Sequence, residues 1–295
     1  MPLKTLLFLS TGEELKVRLT KKRVFRDPYI QYLQALPYRK GFLLCNDLTF
    51  VIPGYLCNSK FKDMKVEIWS DVMCPFCYIG KRRFEEALEQ FTHKNDVEIE
   101  WKSFQLNPDL KTDTTVNITQ YLADAKGWTL DYAKQLNNNV TEMAAGVGLT
   151  YDFDKAVVAN SFDAHRFAHL AKAHGLGDQA EEALFKAYFT EGKNIADHAT
   201  LTQLGTAIGL NETETKQTLA SEAYAEDVKH DIAEARYLGI RGVPFFVMNG
   251  KYAVSGAQMV PVFAETLEKS YNEWQTENPK LTIIEGESCE PGGDC

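Results

Sequence analysis

The chain has 295 residues, enough for one large domain or two ordinary ones with a real core. Its 44% hydrophobic and 25% charged residues are ordinary for a soluble globular protein. A formal net charge of −9 gives no general attraction to nucleic acid or to anionic membranes, so neither is expected as a partner.

Charge is spread unevenly along the chain. Residues 1–63 hold 11 Lys and Arg against 5 Asp and Glu, and the remainder holds 21 against 36, with Met64 at the join. The short apolar run from Leu6 to Leu9 is followed by Glu13 and Glu14, unlike a secretory segment, which needs roughly 7–15 apolar residues. Asn46, Asp47 and Pro53 interrupt the more apolar stretch 42–57, where a membrane span needs about 20 residues. A cytoplasmic location is the expectation. Six cysteines are too few for a disulfide-stapled scaffold of this length, so a Cys-x-x-Cys pair points to catalysis or metal binding.

From Met64 the pattern becomes regular. Val66 and Ile68 alternate with Lys65 and Glu67, as in a strand, and residues 71–75 break it. A helix follows with Ile79, Phe84, Leu88 and Phe91 on its buried face and Lys81, Arg82, Arg83, Glu85 and Glu86 outside. Val97, Ile99, Trp101 and Ser103 alternate in a second strand. Residues 112–238 read as almost entirely helical, with helices over 118–126, 129–147, 162–174, 178–190, 200–208 and 212–237. Gly175, Gly177, Gly192 and Gly209 mark breaks, and Asn211 is an N-cap. Strands return over 243–248 and 251–255, joined by Asn249-Gly250, a hairpin dipeptide. Pro261 opens a closing helix, and the chain ends in a polar, Gly-rich tail.

The order is βαβ, a helical block, then ββα. Without the block, this is a thioredoxin-like α/β fold. Residues 64–111 and 239–278 then form the thioredoxin-like domain, 112–238 a helical insertion lobe, and 279–295 a flexible tail with a cysteine pair.

Cys74 and Cys77 fall at the first strand-to-helix turn. Unpaired N–H groups and the helix dipole favour an anion at that place, and cysteine reacts as the thiolate. Cys77 lies one turn inside, placed to attack a mixed disulfide formed at Cys74. Pro75 suits the first turn because it needs no N–H donor there. The pair alone also fits a buried packing pair or half of a zinc site. His165 and His169 are spaced i, i+4, but no Glu base or third ligand accompanies them, so no metal site is expected.

Two blocks carry a resemblance. The run Ser70-Asp71-Val72-Met73-Cys74-Pro75-Phe76-Cys77-Tyr78-Ile79-Gly80 is one. The run Gly242-Val243-Pro244-Phe245-Phe246-Val247-Met248-Asn249-Gly250, continuing to Gln258, is the other. Together they resemble the DsbA-like thioredoxin family, and within it the FrnE-like bacterial disulfide oxidoreductases. The likeness covers 64–277, including Ala164-His165-Arg166 and the stretch 185–192 of the lobe. It implies that Cys74 is the nucleophile, Cys77 the resolving thiol and Pro244 a cis-proline facing them. By the same resemblance the Val243 backbone would pair with a bound peptide; Pro75, Phe76 and His165 are further candidates to meet substrate, His165 being either a lobe residue near the cleft or a polar helix position beside Arg166.

The implied activity is disulfide exchange with proteins or small thiols, with no cofactor beyond thiols and with glutathione as a candidate thiol. Pro-Phe between the cysteines, without the histidine of DsbA itself, implies a less oxidising pair. The alternative reading is a glutathione-dependent isomerase or transferase related to 2-hydroxychromene-2-carboxylate isomerase and kappa-class glutathione transferase, relatives that typically carry serine at the nucleophile position. Cys289 and Cys295 are a candidate second redox pair, as in some FrnE-like tails. Residues 1–63, with Cys45 and Cys57, read as an atypical extension, as a start codon called too early ahead of Met64 would produce.

Overall fold

A computed structural model describes residues 63–279. The expected N-terminal extension, with Cys45 and Cys57, and the tail pair Cys289 and Cys295 lie outside the described residues.

Strand β1 (Met64–Ser70) is flanked in a four-stranded sheet of order β2-β1-β5-β6. It pairs parallel with β2 (Val97–Ser103) and antiparallel with β5 (Phe245–Met248). Met64, Val66 and Ile68 are fully buried, as their alternation requires, but so is Trp69, because both faces of the sheet are covered. Between β1 and β2 runs helix α1 (Pro75–Gln90). Phe84 of α1 meets Phe246 of β5 and Phe263 of the closing helix, with ring centroids 5.5 and 5.8 Å away. These rings join Val66, Ile68, Leu267, Tyr271 and Trp274 in the sheet's core. The hairpin from β5 to β6 (Tyr252–Ser255) turns at Asn249 and Gly250, both at positive φ (54° and 62°), where the Lys251 N–H closes on the Met248 carbonyl.

The lobe is built from α2 (Ile118–Lys126), α3 (Leu130–Ala145), α4 (Phe162–Ala173), α5 (Gly177–Phe185), α6 (His198–Ile208), α7 (Glu212–Leu219) and α8 (Ala225–Tyr237). Asn117, Thr129, Asp197 and Asn211 cap α2, α3, α6 and α7 by accepting a backbone N–H from the first turn. Helix α9 (Val260–Glu277) then closes the sheet, with Pro261 in its first turn.

The block departs from the all-helical expectation in three places. Strand β3 (Asp113–Asn117) pairs with β4 (Val157–Val158) in a separate small ribbon. The helix expected over 178–190 ends as α at Phe185 and continues as a π turn over Lys186–Thr190. The helix expected over 212–237 is two helices, broken between Leu219 and Ala225 with Tyr224 at φ 62°. No Gly or Pro lies in that break. Its cause is Arg166, whose buried guanidinium collects the carbonyls of Thr218 (2.5 Å), Ser221 and Ala223 (2.8 Å). Oxygens turned toward Arg166 are withdrawn from a continuous helix ladder.

The cationic fork therefore ends α7 and starts α8. Replacing it by an apolar side chain of similar length removes the shared donor of these carbonyls, that of the buried Thr218 among them, and the Asp163 pairing. We expect Arg166→Met to lower stability by about 3 kcal/mol in denaturant unfolding, far beyond the few tenths of an exposed Arg→Met change.

Candidate active site

The dithiol turn begins where β1 ends. The Asp71 carbonyl accepts the Cys74 N–H at 2.9 Å, so the chain folds back directly after the strand. The Asp71 carboxylate accepts the Met73 N–H at 3.2 Å and the Leu106 N–H at 2.7 Å, fixing the turn and the segment after β2 together. Cys74 is the N-cap of α1 with extended φ and ψ (−87°, 112°), and Pro75 occupies the first helical position. Cys74 thus stands at the positive end of the α1 dipole, though its thiol accepts no N–H of the first turn and is directed to the Val243 carbonyl instead.

Cys74 and Cys77 are both free and buried, 4% and 1% exposed. They belong to the hydrophobic cluster of the lobe, with Tyr78, Ile79, Tyr151, Phe185 and Phe189, rather than to the core of the sheet. The Tyr151 hydroxyl donates to the Pro75 carbonyl at 2.7 Å, tying the lobe to the first turn of α1. Burial pushes the Cys77 thiol well up, and its hydrogen bond with Cys74 and the charge on Cys74 push it further. Cys77 therefore keeps its proton behind a Cys74 that meets the helix end.

The second block arrives by strand pairing. Phe245 pairs with Trp69, so the residues just before Phe245 reach the dithiol turn. The Val243–Pro244 bond is cis, and the Cys74 thiol lies 3.4 Å from the Val243 carbonyl, to which it donates. The Gly256 N–H donates to the Pro244 carbonyl at 2.8 Å. Gly80 permits this approach: a Cβ there would stand 2.9 Å from the Pro244 ring. A glycine inside a helix costs about 1 kcal/mol relative to alanine, and here close packing explains it.

Structure thus brings together Cys74, Cys77, Pro75, Val243 and Pro244, with Phe76 39% exposed at the rim. His165 is placed otherwise. It is 1% exposed, its Nε2 3.6 Å from an Asp71 carboxylate oxygen, and it neither lines an open cleft nor stands at a polar surface position. The reason is that α4 is packed by α5, α6, α7 and α8 and has little polar face to offer.

Lys81 is a second correction. Expected outside α1, it is 2% exposed, because α5 covers that side and brings Asp178 (3.3 Å) and Glu182 (3.4 Å) to join Glu85 around the ammonium. His230, Asp231 and Glu234 come within 4.8 Å of one another. Asp231 and Glu234 already hold the Lys102 ammonium (3.5 and 3.2 Å), and Asp231 also accepts the Ser103 N–H, so this group ties α8 to β2. Sequence reasoning passed over Asp71, Gly80 and Tyr151. Of these, a polar residue ending a buried strand and a glycine inside a helix were visible signals; Tyr151 had none.

A family model for the DSBA-like thioredoxin domain matches residues 65–268. The chain belongs to this family. It is 29% identical over 205 residues to the uncharacterized protein YwbO of Bacillus subtilis strain 168, covering 68% of this chain and 94% of that one. Among solved structures it is similar to a probable DsbA oxidoreductase from Streptomyces coelicolor, with 37% identity, a TM-score of 0.68, and coverage of 78% and 97%. A 2-hydroxychromene-2-carboxylate isomerase shares the fold, with 16% identity, a TM-score of 0.52, and coverage of 75% and 100%. In this chain the thioredoxin-like fold carries a helical insertion. No helix among the described residues is long and apolar enough to cross a membrane.

Two outcomes follow from the geometry. Iodoacetamide at pH 8 should modify Cys74 at least about tenfold faster than Cys77, read by peptide mass, because Cys77 is held protonated. Gly80→Ala should cost about 1–2 kcal/mol in denaturant unfolding despite alanine's better helix propensity, since the added methyl meets the Pro244 ring.

Proposed function

We propose that this protein is a thiol–disulfide oxidoreductase in which Cys74 is the nucleophile and Cys77 the resolving thiol. The observation that carries this is the Cys74 thiol at the bare N-terminus of α1, against the Val243 carbonyl, with a protonated Cys77 behind it. The Cys74 thiolate attacks one sulfur of a substrate disulfide, forming a mixed disulfide and releasing the other sulfur as a thiolate. Cys77, once deprotonated, attacks the Cys74 sulfur. The Cys74–Cys77 disulfide forms, the mixed disulfide breaks, and the second substrate sulfur leaves. Two electrons pass from the protein dithiol to the substrate, and the two thiol protons end on the released sulfurs or in solvent. The reverse sequence donates a disulfide, and the direction is set by the pair's potential against its compartment.

The substrates are disulfide- or thiol-bearing proteins and small thiols, glutathione among them, with no further cofactor. The FrnE-like assignment belongs to this reading and rests on the two motif blocks. Phe76 (39% exposed) and Leu106 (52% exposed) flank the turn, Leu106 held there through the Asp71 carboxylate. An apolar rim of this kind suits unfolded or extended apolar segments. Phe76→Ser should therefore raise KM for a protein disulfide severalfold, while leaving turnover of a small aromatic disulfide within about twofold.

In an insulin-reduction assay, Cys74→Ser should fall to background. Cys77→Ser should lose turnover and accumulate a mixed disulfide at Cys74, read as added mass. Full reductase activity in both variants rejects the proposal. The fold shared with the isomerase keeps a glutathione-linked isomerase as the second reading. That chemistry needs one sulfur, so isomerisation of a chromene carboxylate surviving Cys77→Ser would favour it.

A further inference from the structure

A cavity of about 330 Å³ opens between the segment that follows β2, strand β3 and helix α2. Leu110, Val116, Val158 and Tyr121 give it apolar walls, and Asn107 and Lys111 are polar groups at it. Disulfide exchange between two sulfurs has no use for such a space.

Two observations tie the cavity to the nucleophile. Met73, the residue before Cys74, packs against Leu110, Ile118, Ala156 and Val158, and Leu110 and Val158 of these line the cavity. The same Met73 packs against the cluster that holds Cys74 and Cys77. In addition, the Asp71 carboxylate accepts the N–H groups of both Met73 and Leu106, so the walling segment starts from the dithiol turn itself. That segment is firmly held. Asn160 Nδ2 donates to the Pro108 and Leu110 carbonyls (3.2 and 2.8 Å), and its Oδ1 accepts from Gln105 at 3.2 Å. The Asn160 backbone N–H donates to the Thr112 hydroxyl at 3.0 Å. A wall fixed in this way is preformed, so a ligand is spared the cost of ordering it.

We propose that this cavity receives one aromatic side chain, tryptophan or tyrosine, of a polypeptide substrate near its reactive cysteine. The inference deepens the oxidoreductase reading and rests on it.

Shape and polarity choose the occupant. Apolar walls reward the burial of a large apolar side chain. Asn107 Nδ2 donates to the Tyr121 hydroxyl at 3.0 Å, which leaves Asn107 Oδ1 without a partner among the described residues. A buried tryptophan N–H or tyrosine O–H needs such an acceptor. Lys111 has no ion pair among the described residues, but Asp109 and Asp113 line the same cavity, so no positive field draws an anion. The two carboxylates of glutathione therefore suit it poorly. Reach agrees as well. A side chain two residues from the substrate cysteine lies roughly 7 Å along an extended chain, and only Met73 separates Cys74 from the cavity wall. Leu106, the neighbour of Asn107, is 52% exposed and offers further apolar surface there.

A scan of short peptides tests this on the whole chain in its reduced state. Each peptide carries one cysteine joined to 5-thio-2-nitrobenzoate as a mixed disulfide. A single tryptophan is moved through the three positions on either side of it, in an alanine background. The Cys74 thiolate attacks the peptide sulfur and the aryl thiolate leaves; Cys77 then releases the peptide as its thiol while the Cys74–Cys77 disulfide forms. Absorbance of the aryl thiolate gives the rate, and the rate left in Cys74→Ser, from the other cysteines, is subtracted.

We expect one tryptophan position, or two on one face of the extended chain, to react about tenfold faster than the all-alanine peptide. In Val116→Glu, which sets a charge at the cavity, that ratio should fall to about two or less, whatever the variant does to the alanine rate. A wild-type rate that ignores the tryptophan position overturns the proposal without any variant having to fold. A tenfold preference that survives Val116→Glu overturns it too. So does a loss in Val116→Glu as large with the aryl disulfide of glutathione as with the tryptophan peptide, the alanine peptide being spared. If even the all-alanine peptide releases no thiolate above background, the oxidoreductase reading fails along with the inference. If it reacts and tryptophan adds nothing, this inference alone fails.

Discussion

Everything at the site depends on one strand pairing across about 180 residues of chain. Glu67 pairs with Val247 and Trp69 with Phe245, in antiparallel register. Continued two steps, that register sets Ser70 across from Pro244 and Asp71 across from Val243. The thiol's neighbour is thus chosen by backbone hydrogen bonds deep in the sheet, not by a contact at the surface. A register shift of one residue would turn every side chain of β5 to the other face, taking Phe246 out of its contacts with Phe84 and Phe263. The aromatic core of the sheet therefore guards the position of Val243 and Pro244. Gly80 completes the arrangement from the helix side by letting the Pro244 ring reach the backbone of α1.

How much of this could be read from the sequence follows from the range of each interaction. The dithiol turn, the Asn249-Gly250 hairpin and the capped helices are set by neighbours in the chain, and the sequence states them directly. Lys81 was misplaced because helical periodicity tells which residues share a face, not what covers the opposite one. Here the opposite face meets α5 and its acids. The break between α7 and α8 has no local signal at all, since Arg166, more than 50 residues earlier, takes up the carbonyls. His165 failed for the same reason: a polar residue on a helix reads as solvent-facing unless the helix is packed all round, and α4 is.

Helix α1 has two masters. Phe84, Ala87 and Phe91 pack into the sheet, while Cys77, Tyr78 and Ile79 pack into the lobe. The two sulfurs thereby sit at the half of the helix that the insertion covers. That placement explains why both thiols are so little exposed, and why the lobe reaches the dithiol through Tyr151.

What keeps the lobe in register on α1 is polar rather than apolar. Asp178 accepts from the Trp101 indole N–H (3.1 Å) on β2 and from Lys81 on α1, so one carboxylate reads both the sheet and the helix. Glu182, one turn on, accepts the Tyr78 hydroxyl at 2.6 Å and pairs with Arg82. A buried ion pair adds little net stability over an apolar contact, because desolvation offsets most of the attraction. Its effect is on the alternatives. Sliding α5 by one turn would take Asp178 and Glu182 away and leave the buried Lys81 ammonium with Glu85 of its own helix alone, a poorer pairing. Apolar side chains alone would tolerate such a slip far better. The charges on this interface thus favour a single docking of the lobe, in which His165 comes to the buried carboxylate of Asp71.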